Sequence, residues 1–212
     1  MFTKLSNFTY GNYRIANIQA DALDNNFELL IHIQKYEQES LRLLLGDSLY
    51  EEFISNLELD SDGFYKVKST ADQKWNWLLN GTSYIATALG SGCNCGCQNN
   101  ENHYWGGLVK KVATIQNKDV FETLMAYYIF YNWSLNYRTS NLGIGEGRSN
   151  SKSATQESSK NKRVDAWNEF VRLAYFGYSC TDVSLLKFLQ DHKEEFPNVN
   201  EFYLQPMTYY DI

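Results

Sequence analysis

The sequence predicts a mainly α protein, a helical bundle of about five helices with a small β-hairpin insertion and extended termini. Three stretches carry that expectation. The block from Ile31 to Phe53 is an amphipathic helix that runs into Leu-Leu-Leu-Gly and restarts at once. The run from Lys118 to Arg138 is apolar almost all the way round a helix. The Gly-, Asn- and Cys-rich residues 90–102 separate two short segments of strand character.

Taken in order, residues 1–25 are polar, with Phe8, Tyr10 and Tyr13 scattered through them, and read as an N-terminal arm. An extended stretch or short strand is expected around Tyr13 to Ile18. Asp24, Asn25 or Asn26 then caps a helix, because a short side-chain oxygen accepts from the free amides of the first turn. That helix runs to about Leu45 with Phe27, Leu30, Ile31, Leu41, Leu44 and Leu45 on its apolar side. Gly46 fits a left-handed stop, and Asp47 or Ser48 caps a second helix through Leu57. Residues 58–68 read as an acidic surface loop. A shorter helix spans about Thr70 to Leu79 and carries Trp75 and Trp77.

Asn80-Gly81 is a turn dipeptide that opens residues 81–110, read as a β-hairpin with the cysteines at its tip. The long helix from Lys118 to Arg138 puts Val120, Leu124, Tyr127, Tyr128, Tyr131 and Leu135 on one face. Phe121, Met125, Ile129 and Trp133 thicken that face, so the helix must be surrounded by protein. At roughly 1.5–3 kcal/mol per buried large side chain it is expected to supply the largest share of the core. Residues 139–153 are too rich in Gly, Ser and Asn to order themselves and read as a flexible loop. A second long helix covers about Ala154 to Tyr178. A last one covers about Thr181 to Glu195, capped by Thr181 or Asp182 and ended by Pro197. Residues 197–212 form an extended aromatic tail. One helical domain, 26–196, lies between arm and tail.

A formal net charge of -6 and a pI of about 5.1 exclude a general affinity for nucleic acid or anionic membrane. The chain has no run of about 18 apolar residues and no signal-peptide core. It is expected to be soluble and made in the cytoplasm, with no membrane partner. The 16 Tyr, 12 Phe and 5 Trp are a surplus. Tyr and Trp join a large apolar body to a polar tip, which suits subunit interfaces.

Cys93, Cys95 and Cys97 with His103 are the one set with ligand chemistry, thiolates and an imidazole that could close a tetrahedral zinc site. Their spacing departs from Cys-x2-Cys, so a loop tip of reduced thiols is favoured and no metal or cofactor is expected. Gly143 to Ser149 has the glycines of a phosphate loop, but a helix precedes it and Arg148 stands where a Lys is needed. Arg148, Lys152, Lys160, Lys162 and Arg163 face only Glu146 and Glu157, a local basic patch in an acidic chain. That patch supports an alternative reading as a small DNA-binding or DNA-packaging accessory module. A metal-dependent enzyme centred on the Cys loop is a third. His32, His103 and His192 suggest no catalytic triad, and no catalytic residue is expected.

Tyr36-Glu37-Gln38-Glu39 followed by Leu43-Leu44-Leu45-Gly46-Asp47-Ser48-Leu49-Tyr50-Glu51-Glu52-Phe53 resembles the head-to-tail connector proteins of tailed bacteriophages. The branch is that of phages and prophages of gut Bacteroidota, including crAss-like phages. The aromatic helix Tyr127 to Tyr137, the loop Leu142-Gly143-Ile144-Gly145, and a long then a short helix follow in the same order. The resemblance spans about residues 20–190. It implies a structural virion protein without catalysis, in a ring of commonly twelve copies at the head–tail interface. Its partners would be itself, the portal protein, the next tail or ring protein, and genomic DNA passing through the lumen. Gly143, Gly145, Gly147, Arg148 and Lys152 in the loop, and Phe202, Tyr203, Leu204, Tyr209, Tyr210 and Ile212 in the tail, are the interface candidates. These segments are expected to order on docking. Deleting Phe202 to Ile212 would then spare the fold.

Overall fold

Helix α1 (Phe27–Ser55) buries Leu29, Ile33, Tyr36, Leu41, Leu44, Leu45, Leu49, Tyr50 and Phe53, residues that recur at helical spacing. The expected break falls at Gly46, where φ is 74° and ψ 161°. This is not the left-handed stop but a region open essentially to glycine alone. Arg42 spans the bend, pairing with Asp47 at 2.5 Å and with Glu51. The structure, a computed structural model, describes residues 1–9, 13, 15, 27–87, 100–115, 118–136, 140–142, 145–147, 159–179, 181–199 and 202–208. Of the expected strand around Tyr13 to Ile18 only Tyr13 and Ile15 are described, and the helix caps at 24–26 and residues 154–158 of the second long helix lie outside the described residues.

The described residues hold five α-helices and four two-stranded antiparallel sheets, so the chain is mixed α and β rather than plainly mainly α. Three of these four sheets lie in segments read otherwise in the sequence. Within the acidic loop, β1 (Leu57–Leu59) pairs with β2 (Tyr65–Val67) around Asp60, whose Oδ1 accepts from the amides of Asp62 and Phe64. Residues 109–123 form β5 (Val109–Ile115) and β6 (Lys118–Thr123), with a register shift between Lys111 and Ala113. The helix expected from Lys118 therefore begins only at Leu124. Lys118 to Thr123 find a β-branched partner strand in Val109 to Ile115, and pairing overrides the helical period. In the Gly-rich stretch, β7 (Ser140–Leu142) pairs with β8 (Gly145–Gly147).

The hairpin after Asn80 is present: β3 (Thr82–Thr87) pairs with β4 (Asn100–Trp105), Tyr84 opposite His103. It ends at Trp105, short of residue 110. Before it, α2 (Gln73–Asn80) is capped by the Asp72 carboxylate, which accepts from Lys74 N–H at 3.2 Å. Helix α3 (Leu124–Asn136) is enclosed by this chain, with α1 and α4 (Ser159–Phe176) packed against it. Tyr128 donates to Glu39 of α1 at 2.6 Å and packs its ring on Phe170 of α4, 5.1 Å away.

Helix α5 (Leu185–Asp191) is shorter than expected, and its cap is Ser184, which accepts from Lys187 N–H at 3.0 Å. Thr181 and Asp182 do not cap it. Asp182 instead closes a turn with Ser179 and pairs with Lys110, while Val183 N–H donates to the Tyr104 carbonyl at 2.8 Å. The aromatic surplus serves the interior as well as the surface. Phe53, Trp75, Phe196, Phe188 and Trp105 form a chain of ring contacts, each 5.5–5.9 Å from the next, that ties the α1 corner to α2, α5 and the hairpin.

Candidate functional site

The helical corner is the site's frame. Helical spacing from Ile33 puts Glu37 and Ser40 inside the buried stripe with Tyr36 and Leu41, and both are buried. Ser40 Oγ donates to the Glu37 carbonyl at 2.8 Å. The Glu37 carboxylate leaves the stripe towards the N-terminal segment, where Oε1 accepts from Phe2 N–H at 2.8 Å and Thr3 N–H at 2.6 Å. Phe2, Leu5 and Phe8 are buried with it. The first residues are thus part of the core rather than a polar arm. A cleft of about 290 Å³ opens beside this contact, lined among others by Gln34, Glu37, Arg42, Tyr50 and Tyr65.

Burial pushes the Glu37 carboxyl above the ordinary range, against the opposing pull of the Thr3 amide and the Met1 ammonium. A carboxyl whose folded pKa is raised adds stability below its unfolded pKa and loses it as pH rises through the folded one. Glu37→Gln is therefore expected to gain stability relative to the parent between pH 4 and pH 7. Thermal melts of both proteins at the two pH values measure this. A variant-minus-parent difference in melting temperature that falls towards pH 7 would contradict the assignment.

A second polar cluster sits at the base of the β3–β4 hairpin. Tyr84 Oη donates to Asp191 Oδ2 at 2.8 Å, and His103 Nδ1 donates to the same oxygen at 3.1 Å. Lys187 holds the other oxygen at 2.6 Å. Burial acts to raise the Asp191 carboxyl, but the bonds from Lys187, Tyr84 and His103 outweigh it and leave its pKa low. Burial and Asp191 push the Tyr84 phenol up. His192 meets the Tyr84 ring edge to face at 4.4 Å and donates through Nδ1 to the Phe188 carbonyl. The cluster pins the hairpin to α5. Cys93, Cys95 and Cys97 lie outside the described residues. Among the described residues no group of three metal-ligating side chains comes together.

The tail runs along α4 without regular structure. Phe202 and Leu204 are buried, while Tyr203 between them is 81% exposed. Tyr175 Oη donates to the Phe202 carbonyl at 3.1 Å and accepts from Leu204 N–H at 2.9 Å. Asn168 closes a two-way bond with the Met207 backbone, and Trp167 Nε1 donates to the Gln205 carbonyl at 2.7 Å. Phe202 and Leu204 are therefore core residues within this chain, rather than free side chains of an extended tail. Tyr209, Tyr210 and Ile212 lie outside the described residues, as do Gly143, Arg148 and Lys152. Gly145 and Gly147 belong to β8. Of the basic patch, Lys162 is exposed and Arg163 half-buried on α4.

Large apolar side chains remain on the surface. Phe27 and Ile31, one turn apart on α1, are 67% and 51% exposed, and Phe176 at the end of α4 is 71% exposed. Sequence spacing had counted Phe27 and Ile31 with the core face. Tyr84 and Asp191 carry no signal in the sequence, whereas Glu37, beyond its place in the motif, has one: a carboxylate four residues from apolar Ile33 and Leu41 on one stripe. No helix among the described residues is long and apolar enough to cross a membrane. Neither a scan against protein-family models nor searches of curated proteins and of solved structures found a match to this chain.

Proposed function

We propose that this chain is a structural subunit of a tailed-phage virion that assembles into a ring, commonly of twelve copies, between the portal and the next tail component. The observation that carries this reading is the exposed apolar pair Phe27 and Ile31 on the braced corner helix. Contiguous apolar surface left in water marks a contact face, and this pair of neighbours contributes such surface. The sequence motif around Leu43 to Phe53 supports the same reading, and so does the acidity of the chain. A lumen wall with net negative charge would let genomic DNA slide, because phosphate contacts are what retain it. The role is mechanical, and no step of catalysis is assigned to any residue.

Native mass spectrometry and light scattering of the protein alone, and mixed with its portal, test the proposal. A multi-copy ring is expected in one of the two samples, and Phe27→Ser with Ile31→Ser should weaken it. A strict monomer in both would overturn the reading. Salt-dependent binding of duplex DNA by that monomer would favour the accessory-module alternative built on the Arg148 to Arg163 patch.

A further inference from the structure

The N-terminal segment is held by a seat that is complete without the residues joining the two. The amides of Phe2 and Thr3 converge on one oxygen of Glu37. The Met1 carbonyl accepts from Tyr65 N–H at 3.0 Å, and Asn7 Nδ2 donates to the Phe121 carbonyl at 2.7 Å. The Phe2 ring packs on Phe53 and Tyr65, with centroids 5.8 and 4.9 Å away. Each of these partners comes after the start of α1 in the chain. Ile15 N–H donates to the Phe8 carbonyl at 2.9 Å, so Ile15 belongs with the segment. Residues 16–26 then give the connection a maximum reach of roughly 40 Å, at about 3.5 Å per residue.

We infer that the segment Met1 to Phe8 is an exchangeable arm, which docks on the Glu37, Phe53 and Tyr65 seat of a second copy of this chain. A carboxylate oxygen accepting two successive amides recognises a bent backbone that turns both N–H groups to one side, and the ring contacts select a bulky apolar side chain beside it. The segment supplies both. Docking within one chain and between two makes the same contacts, so the forms differ only in connector entropy and local concentration. An empty seat is the unfavourable state, because it opens the fully buried Phe53 ring to water. Copies held side by side present their arms to each other at an effective concentration on the order of millimolar. The inference rests on the assembly reading to that extent.

Full-length protein with Phe2 replaced by the photo-crosslinker p-benzoylphenylalanine, made in light and heavy isotope forms, tests it. The two forms are mixed, concentrated stepwise and irradiated, and the mass of each sample is measured by light scattering. Exchange gives light arms joined to heavy peptides that hold Phe53 or Tyr65, in a fraction rising towards about one half, the statistical value for free mixing. Unmixed pairs at every concentration would overturn the exchange, and if the same samples were rings the connector reading would stand. Mixed pairs in a species of only two copies would keep the exchange and remove the ring. Should the Phe2 variant fail to fold, the crosslinker at Lys4, which lies over the Phe64 and Phe121 rings, gives the same readout.

Discussion

Removal of Phe202 to Ile212 is expected to destabilise the whole chain rather than to leave the fold untouched. The deletion takes Phe202 and Leu204 out of the core, where they are 8% and 6% exposed. At about 1.5–3 kcal/mol for each buried large side chain, the loss is about 3–6 kcal/mol. That is a large share of the roughly 5–15 kcal/mol that holds a typical domain folded. The hydrogen bonds that Tyr175, Asn168 and Trp167 make to the tail backbone go with it. Urea denaturation followed by circular dichroism measures the shift, expected as an earlier midpoint. Tyr203→Ser is the control: its side chain points to water, and such surface changes stay within about 0.5 kcal/mol. An unchanged midpoint in the truncation would show that the tail is dispensable to the fold.

Gly81→Ala is expected to cost about 2–5 kcal/mol, because two penalties fall on one carbon. Gly81 has φ +88°, a conformation that L side chains rarely adopt, and a Cβ there would stand 2.4 Å from the Trp105 carbonyl oxygen. The opposing backbone cannot retreat. Gly107, with φ +86°, lies against Asn80 and Gly81 in turn, and Leu108 N–H donates to the Leu78 carbonyl at 3.0 Å. The end of α2 and the end of β4 therefore meet backbone to backbone, and this contact places Trp105 beside Phe188. Gly63→Ala separates the two penalties. Gly63 has φ +79° with nothing within 4 Å of the added carbon, so only the conformational cost of about 1–2 kcal/mol remains. Equal melting temperatures for the two variants would contradict the close approach.

Local signals in the sequence carried what depends on a few neighbouring residues. The Leu-Leu-Leu-Gly bend at Gly46, the α2 helix with its tryptophans, the turn at Asn80-Gly81 and the paired strands after it all appear where the residues place them. Apolar spacing also located the enclosed helix from Leu124 onwards. Each of these rests on glycine's backbone freedom, on a turn dipeptide or on a continuous apolar period.

Partners distant in sequence decided the rest. Lys118 to Thr123 has the hydrophobicity of a helix start, yet it is a strand because Val109 to Ile115 lies beside it. Thr181 and Asp182 have the chemistry of a cap, but Lys110 and Ser179 claim the Asp182 carboxylate and the helix begins after Ser184. The polar N-terminal residues become core because Glu37 accepts their amides, and the tail becomes core because Tyr175 and Asn168 do the same for its backbone. Where the chain bends and which helix must be enclosed are legible in residue order, since those are properties of short-range sterics and periodicity. Which polar segments are buried and which apolar side chains stay in water depend on the assembled fold. Burial of a backbone depends on a hydrogen-bond partner that linear order does not reveal.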